Sequence, residues 1–424
     1  MKIKLFIKLS VAAIFVSVFL VTSAVLAIEP IKLGAVMVGS DVIGRESFNA
    51  MKLAIKQINA SGGLLGRQVV LVFEDDEMKI DKAPALMEKI ITVDKVDILV
   101  GGMASGSFAA MMPVIKKYAK VTVWNGVSSY KVEEAMAGLD WFFHVYQWDY
   151  MIWEGANRGW AQLQQKYPGV KIRKFFMAYD DSPYGMGYWN SAKEFAKQFG
   201  YDVQGAPFKA AGYGGGDFRA LLRQAKEYNP DIFVYVAYEK DVIPMMEQAK
   251  EIGFNPPMFT GWPPSWPKDF AANPLSDGLT FYSMWDPAMK YVNKPSKDFC
   301  DAYYKEYKEP PTSFITPFAY TNIMIVAEAI KRAGTLEKSA LIKALEETNY
   351  LSPVGDRFVF RKSRFINHQA SVQPKLMQYQ KGKIVIIWPW EFATSKLVFP
   401  FPSKGPATAT NETKAAAVKT KAKK

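Results

Sequence analysis

Val96-Asp-Ile-Leu-Val-Gly-Gly-Met-Ala-Ser-Gly-Ser107 decides the fold: a short apolar strand ends in small residues and leads into a helix at Phe108-Ala-Ala-Met-Met-Pro-Val. A Ser-Gly-Ser sequence at a helix start leaves backbone N–H groups and hydroxyls without partners in one place. The helix dipole and these donors both favour a carboxylate or another anion there. Nothing in the stretch provides chemistry to convert the bound group. It therefore indicates capture of a small anionic or zwitterionic solute.

Strands and helices alternate on both sides of this stretch. Apolar runs predict strands at 31–38, 69–74, 97–101 and 121–124, with helices at 46–59 and 82–93 between them. The alternation starts again after Tyr146, with predicted strands at 174–179, 202–208, 231–237 and 258–259 and helices at 150–166, 187–199, 217–228 and 242–252. This order is typical of parallel sheets covered by helices on both faces and built by right-handed crossovers. The sequence predicts an α/β protein with two doubly wound lobes.

The remaining segments are expected to return to these lobes. A return strand is predicted at 278–286, and helices at 317–333 and 336–348 are expected to rejoin the first lobe. Antiparallel strands within 358–390 complete the second lobe. The predicted amino-terminal lobe therefore comprises residues 28–145 and 275–350, and the carboxyl-terminal lobe comprises residues 146–274 and 351–400. Because ligands bind at the carboxyl ends of parallel strands, the cleft between the lobes is the expected site.

The two ends of the chain differ in character from this body. Lys2, Lys4 and Lys8 precede an apolar run at 9–26, and Val25-Leu-Ala27 offers a cleavage site, so residues 1–27 are predicted to be an export signal peptide. The alternative for this run is an uncleaved membrane anchor. Residues 401–424 form a basic, low-complexity tail that we expect to be disordered.

Net charge and cysteine content narrow the class of protein. The net charge of +12 includes +3 from the signal lysines and +5 from the tail beyond residue 403, which leaves +4 for the body and gives no reason to expect a nucleic-acid partner. Cys300 is the only cysteine, so an intrachain disulfide and a lipid-modified amino-terminal cysteine are both excluded. We expect Cys300 to be a buried helical thiol.

Several ordered motifs resemble a known family. They are Ile31-Lys-Leu-Gly-Ala-Val, Ala54-Ile-Lys-Gln-Ile-Asn-Ala-Ser-Gly-Gly-Leu-Leu-Gly-Arg67, Leu99-Val-Gly-Gly with Ser105, Tyr179-Asp-Asp-Ser-Pro-Tyr-Gly-Met-Gly187 and Pro230-Asp-Ile-Phe-Val-Tyr. Over nearly the whole mature chain, to about Trp390, the sequence resembles the type I periplasmic solute-binding proteins of ABC importers, in the leucine/isoleucine/valine-binding branch. The resemblance implies two Rossmann-like lobes joined by a three-crossing hinge, with crossings near 144–149, 258–284 and 350–360.

The resemblance also implies ligand-binding residues. Ser105 matches the serine whose hydroxyl and N–H hold the ligand carboxylate. Gly126 and Ser128 match a second turn that offers a carbonyl and a hydroxyl to the ligand. Tyr184 matches an aromatic residue of the opposing lobe that closes over the ligand, and Tyr238 falls in another loop that faces the cleft.

One position departs from the family pattern. Members that bind amino acids commonly place an acid after the strand equivalent to 257–260, where this chain has Gly261-Trp-Pro-Pro-Ser-Trp266. A buried ammonium without a counter-charge is costly. Glu239 or Asp241 could substitute for that acid. Alternatively the ligand lacks an ammonium, and Trp124, Trp262 and Tyr184 enclose the flat or apolar body of a carboxylate. Each tryptophan could equally belong to the core.

Other motifs have plain structural explanations. Gly212-Tyr-Gly-Gly-Gly-Asp217 lacks the Lys-Ser/Thr of a nucleotide-binding loop and is interpreted as a connecting loop. His144 and His368 lack companions at ligand spacing, so we expect neither a metal site nor a cofactor. Asp180-Asp181 and Asp75-Asp76-Glu77 follow strands, where acids cap turns. Ser105 lacks the Gly-x-Ser-x-Gly pattern of a nucleophile, so the protein is not expected to be an enzyme.

Together these features predict a monomeric, periplasmic receptor that delivers a small carboxylate-bearing solute to an inner-membrane ABC permease. The ligand is expected to be a branched-chain amino acid or another apolar or aromatic amino acid. The alternatives are a receptor for an aromatic or short-chain acid that is not an amino acid, and a ligand-sensing domain of a regulatory system.

Overall fold

The computed structural model describes residues 29–209, 216–262, 266 and 269–401 of the 424-residue chain. The predicted signal peptide, most of the glycine-rich segment 212–217 and the tail from residue 402 lie outside the described residues. Among the described helices, none combines the length and the apolar character that a bilayer-spanning segment requires.

The first sheet has five strands, all parallel, in the order β2-β1-β3-β4-β5. The strands are β1 (Ile31–Met37), β2 (Val69–Asp75), β3 (Ile98–Val100), β4 (Thr122–Trp124) and β5 (Phe142–His144). β3, β4 and β5 are buried along their whole length. Burial on both faces is expected for parallel strands between helical layers. The predicted parallel sheet of the first lobe is confirmed.

The helices of this lobe connect and cover the strands. They are α1 (Val42–Ala60), α2 (Ala83–Thr92), α3 (Ser105–Tyr118) and α4 (Tyr130–Ala135). α1 begins four residues before the predicted start at residue 46, because the side chain of Asp41 caps it by accepting a hydrogen bond from Gly44 N at 2.6 Å. α3 begins at Ser105 instead of Phe108, so the Ser-Gly-Ser sequence forms its first turn.

The second sheet repeats the plan with four parallel strands in the order β7-β6-β8-β9. The strands are β6 (Lys174–Asp180), β7 (Asp202–Phe208), β8 (Ile232–Val236) and β9 (Met258–Gly261). The helices are α5 (Asp149–Lys166), α6 (Pro183–Phe199), α7 (Arg219–Tyr228) and α8 (Glu239–Glu251). α6 begins before the predicted residue 187, because Ser182 caps it and Pro183 occupies its first turn.

An antiparallel sheet extends the second lobe, in the order β10-β13-β14. β10 (Thr280–Ser283) pairs with β13 (Lys375–Gln380), which pairs with β14 (Lys383–Trp388). β10 lies within the range 275–350 that was predicted for the amino-terminal lobe, so we correct this assignment. Two hydrogen bonds tie it to the other lobe: Thr280 Oγ1 donates to Phe259 O at 2.6 Å, and Tyr282 OH donates to Ala156 O at 3.0 Å.

The chain returns to the first lobe after β10. This part contains α9 (Lys294–Tyr307), α10 (Ile315–Ala333) and α11 (Lys338–Glu346). α10 packs along α1, and the amide of its Asn322 donates to Val123 O of β4 at 2.9 Å. Cys300 is buried in α9, as predicted. A short two-stranded sheet of β11 (Tyr350–Leu351) and β12 (Arg357–Phe358) follows.

The first and third crossings lie side by side at His144. His144 N donates to His368 O at 2.9 Å, and Ala370 N donates to His144 O at 2.8 Å. The His144 ring is fully buried, contacts the side chain of Gln369 and the carbonyl of Val127 at 2.9 Å each, and stacks on Trp148. The third crossing therefore falls near 366–370 instead of 350–360, because residues 350–358 form β11 and β12. His144 has the structural role that the sequence suggested.

Candidate functional site

A cavity lies where the carboxyl ends of both parallel sheets meet. It encloses about 470 Å³ of space, including its open mouth. The described residues that line it are Met103, Ala104, Ser105, Gly126, Ser128, Tyr146, Tyr184, Tyr188, Tyr238, Trp262, Phe314 and Ile315. The structure thus brings together Ser105, Gly126, Ser128, Tyr184, Tyr238 and Trp262 from the predicted site and leaves out Trp124.

The amino-terminal turn of α3 provides the polar end of this cavity. Ala104 precedes the helix with a φ of +73° and offers no side-chain cap, so the first amides of α3 have no acceptor within the helix. The hydroxyl oxygen of Ser105 accepts from Ser128 N and Ser129 N, both at 3.3 Å. Its own proton therefore remains available for a ligand. Free amides, a hydroxyl proton and the helix dipole together favour a carboxylate.

Two glycines let the loops around Ser105 lie close together. Gly126 has a φ of +75°, and a Cβ atom there would lie 2.6 Å from Gly102 O. Gly102 has a φ of +114°, and a Cβ atom there would lie 2.1 Å from the Trp124 ring. The loop after β3, which contains Gly102, therefore lies between two neighbours. Gly126 of the loop after β4 contacts it on one side, and the Trp124 ring contacts it on the other.

Trp124 belongs to the core and lines neither described cavity, which favours the core alternative that the sequence left open. Its side chain has no exposed surface and packs edge-on against Phe108, with ring centroids 4.8 Å apart. The backbone of Gly102 covers the ring. Trp124 supports the Ser105 loop from beneath and does not line the cavity.

The second lobe contributes an aromatic wall opposite Ser105. Tyr184 OH donates to the carbonyl of Trp262 at 2.7 Å, and the Tyr184 ring lies 5.8 Å from that of Tyr238. Tyr188 packs on both Tyr184 and Trp262, with centroid distances of 5.1 and 5.2 Å. Burial raises the pKa of Tyr184 and of Tyr188 well above the ordinary value, so both phenols stay neutral. This wall suits an apolar or aromatic ligand body.

Sequence reasoning missed three aromatic residues of the wall. Tyr188 follows Tyr184 by one helical turn, and this spacing could have identified it. Tyr146 follows β5 at the hinge and stacks on Phe314, with ring centroids 6.1 Å apart. Phe314 precedes α10, and no local pattern marks it because its position depends on how the chain returns to the first lobe.

A second cavity adjoins the first and encloses about 800 Å³ of space, including its mouth. Ala104, Ser105, Tyr184 and Tyr238 line both cavities. The described wall of the first cavity carries no charged side chain, whereas Asp180 and Asp241 line the second. Asp241, one of the two possible substitutes for the missing acid, therefore lines only the second cavity. The side chain of Glu239, the other possible substitute, lies outside what the structure describes.

The described residues offer few groups for covalent or metal chemistry. Ser105 Oγ meets two backbone amides, neither of which is a base. Burial lowers the pKa of His144 to about 4, and no group of three or more His, Cys, Asp or Glu residues in the described ranges could hold a metal ion. Asp75 accepts from Gly39 N and Glu77 N, at 2.8 and 2.7 Å, which matches the turn-capping role expected for this cluster.

Residues 38–383 match the family model described as periplasmic binding protein. Over 379 residues the chain is 25% identical to the Leu/Ile/Val-binding protein homolog 7 of Brucella abortus (strain 2308), covering 85% of this chain and 90% of the relative. It is 24% identical to homolog 8 of the same strain over 373 residues, covering 84% and 89%.

Solved structures share the fold. The leucine-binding protein LivK of Thermotoga maritima superposes with a TM-score of 0.72 at 19% identity, covering 84% of this chain and 98% of that one. LivJ of Streptococcus pneumoniae, in complex with isoleucine, gives 0.71 at 22% identity, covering 85% and 100%. A solute-binding protein from R. palustris, in complex with benzoate, gives 0.70 at 18% identity, covering 89% and 98%.

Proposed function

Because this chain belongs to the periplasmic binding protein family, we propose that it is the substrate-binding component of an ABC importer. It is exported to the periplasm, captures a small carboxylate-bearing solute between its lobes and delivers it to an inner-membrane permease. The observation that carries this proposal is the cavity itself, in which the amino-terminal turn of α3 faces an aromatic wall from the other lobe.

Each lobe has a separate part in binding. The carboxylate docks on Ser105 and Ser128 of the first lobe, beside the first amides of α3, which have no acceptor within the helix. The second lobe then brings Tyr184, Tyr238 and Trp262 over the apolar body of the ligand. These contacts exist only in the closed form, so binding shifts the population toward it. A permease that recognises the closed form accepts the loaded receptor in preference to the empty one.

Two ligand classes are compatible with this site. The names of the Brucella relatives and the isoleucine-bound neighbour favour a branched-chain amino acid. The uncharged described wall of the first cavity and the benzoate-bound neighbour favour a carboxylate that is not an amino acid. A thermal-shift screen of both classes identifies the ligand, because a solute that binds only the folded protein raises its apparent stability.

The Ser105→Ala variant tests the carboxylate site by titration calorimetry with whichever solute gives the largest shift. Loss of a hydrogen bond to a buried charge costs about 1–3 kcal/mol, or roughly 5- to 150-fold in affinity. Ser47→Ala is the matched control, because Ser47 is fully buried in α1 and lies on neither cavity wall. An unchanged dissociation constant for Ser105→Ala contradicts the proposed docking site.

A further inference from the structure

The second cavity holds two carboxyl groups that the carboxylate site does not use. Asp180 ends β6 and Asp241 lies in the first turn of α8, so both belong to the second lobe. Each residue is only 1% exposed, although each lines the cavity. Ser105, Tyr184 and Tyr238 line both cavities, so the two cavities adjoin along these residues.

The two carboxyl groups lack counter-charges in the described part of the chain. Asp180 Oδ1 accepts from Ser182 N at 3.1 Å and from Gly185 N at 3.0 Å, whereas its Oδ2 is buried without a partner. Oδ1 of Asp241 is also buried and unpartnered. Burial, followed by repulsion from Asp180, raises the pKa of Asp241 to about 6. Two desolvated acids in one cavity are costly, and a cation placed between them relieves that cost.

We propose that this cavity is a second subsite, in which Asp180 and Asp241 bind a protonated amine carried by the same solute. The inference rests on the proposed function, because it assumes that the solute's carboxylate docks at Ser105. In an α-amino acid the ammonium and the carboxylate share one carbon atom. Here the acids line the second cavity, whereas Gly126 and Ser128 line only the first, so the inferred ligand carries an apolar spacer between its carboxylate and its amine.

The surroundings of the acids suit such a ligand. Tyr184 and Tyr238 stand at the boundary of the two cavities, where their ring faces can attract a cation. Met78, Ile80 and Pro183 add apolar surface to the second cavity and can cover a methylene chain. The ligand class is therefore an ω-amino carboxylate or an aromatic acid with a distal amine.

Titration calorimetry with matched probes tests this inference. The probes are γ-aminobutyrate, δ-aminovalerate and ε-aminocaproate, the fatty acids butyrate, valerate and caproate of the same lengths, and leucine. For at least one of the three chain lengths, the ω-amino acid is expected to bind at least about 10-fold more tightly than the fatty acid of the same length. One charge-assisted hydrogen bond contributes roughly this factor. In Asp241→Asn the ω-amino acid is expected to lose this advantage over the fatty acid of the same length.

A control and a second readout guard against misfolding. Glu247→Gln removes an exposed carboxylate from the same helix and is expected to keep the amine advantage. Asp241→Asn removes a buried, unpartnered acid, so its melting temperature without ligand is expected to rise above that of the parent protein at neutral pH.

The outcomes separate the inference from the proposed function. Equal binding of each ω-amino acid and its fatty acid, both weakened by Ser105→Ala, overturns the amine subsite and leaves the proposed function intact. Leucine as the tightest probe, with an affinity that depends on Asp241, overturns the spacing between amine and carboxylate. A protein that binds none of these probes, and none of the amino acids and carboxylates of the thermal-shift screen, overturns the proposed function and the inference with it.

Discussion

Gly102 determines how closely the Ser105 loop lies on the core. We predict that Gly102→Ala destabilises the protein by about 2–5 kcal/mol, because its added methyl would overlap the Trp124 ring and its backbone φ is positive. Urea unfolding followed by tryptophan fluorescence measures this loss.

Gly138→Ala is the matched control for backbone strain. Gly138 also has a positive φ, of +75°, but a Cβ atom there would meet nothing within 4 Å. Only the strain remains, at about 1–2 kcal/mol. Equal losses in the two variants would show that the contact with Trp124 is unimportant.

The positions of site residues could be predicted where local order and a family resemblance agreed. Ser105 and Ser128 could be placed because both follow strands that end at the same sheet edge. The side chain of Trp124 could not be placed, because a strand that is buried on both faces has no alternation of polar and apolar residues to show where each side chain points. From the sequence, Asp241 was considered only as a substitute for the missing acid. Its position in a separate cavity depends on how α8 packs against β6, and no local sequence pattern predicts that packing.

At the scale of elements, Glu46 joins α1 to the segment that leads into α10. Its carboxylate accepts from Thr312 N at 2.7 Å, Thr312 Oγ1 at 2.6 Å, Ser313 N at 2.9 Å and Thr316 Oγ1 at 2.9 Å. Glu46 is 2% exposed. Phe314 and Ile315, which follow directly, lie on the wall of the first cavity. The carboxylate therefore positions part of that wall.

We predict that Glu46→Gln lowers the free energy of unfolding by about 2–4 kcal/mol, because an amide has a single acceptor oxygen and leaves buried donors unsatisfied. Chemical denaturation provides the measurement, and weaker ligand binding should accompany the loss.

Glu306→Gln serves as the comparison. Glu306 pairs with Lys56 of α1 at the surface, at 2.6 Å, and such exposed pairs contribute roughly 0–1 kcal/mol. A Glu46 variant no less stable than the Glu306 variant would refute the positioning role.

The order of elements could be predicted well from hydrophobic pattern, and the pairing of distant elements could not. β6 and β8 were expected within one residue of their observed ends, because apolar runs bounded by polar residues mark them. β10 was assigned to the wrong lobe, since its partner β13 lies far along the chain. Helix starts were displaced wherever a capping residue such as Asp41 or Ser182 extended the helix beyond its apolar pattern.

At the scale of the whole molecule, Asp149 connects the lobes beside the hinge. It begins α5, yet its Oδ2 accepts from Tyr130 N of α4 at 3.1 Å, and its Oδ1 accepts from Ser191 Oγ of α6 at 3.2 Å. Asp149 has no exposed surface. Burial is the main cause that raises its pKa to about 7, and the nearby Glu133 raises it further.

This raised pKa predicts a pH dependence of stability. Between about pH 4 and pH 7 the folded protein holds a proton on Asp149 that the unfolded chain releases. Its contribution to stability is therefore fully present below about pH 4 and is lost as the pH rises through about 7, with a slope of at most about 1.4 kcal/mol per pH unit.

Comparing Asp149→Asn with the parent protein isolates this carboxyl group, because His144 and Glu133 titrate in both. Urea unfolding at several pH values in this window is expected to show the stability of the parent protein falling relative to that of the variant as pH rises. Parallel stability curves for the two proteins would mean that Asp149 titrates alike in the folded and unfolded states.

Cys300 has a practical consequence for observing closure in solution. Burial raises its pKa to about 12, so its thiol stays protonated and shielded from thiol reagents. The sequence has no other cysteine. Val42 on α1 and Met186 on α6 are both exposed, so each can be replaced by a cysteine. A pair of fluorophores can then be attached at these two positions without labelling Cys300. A variant labelled in this way would serve as a fluorescent biosensor for the ligand of this protein.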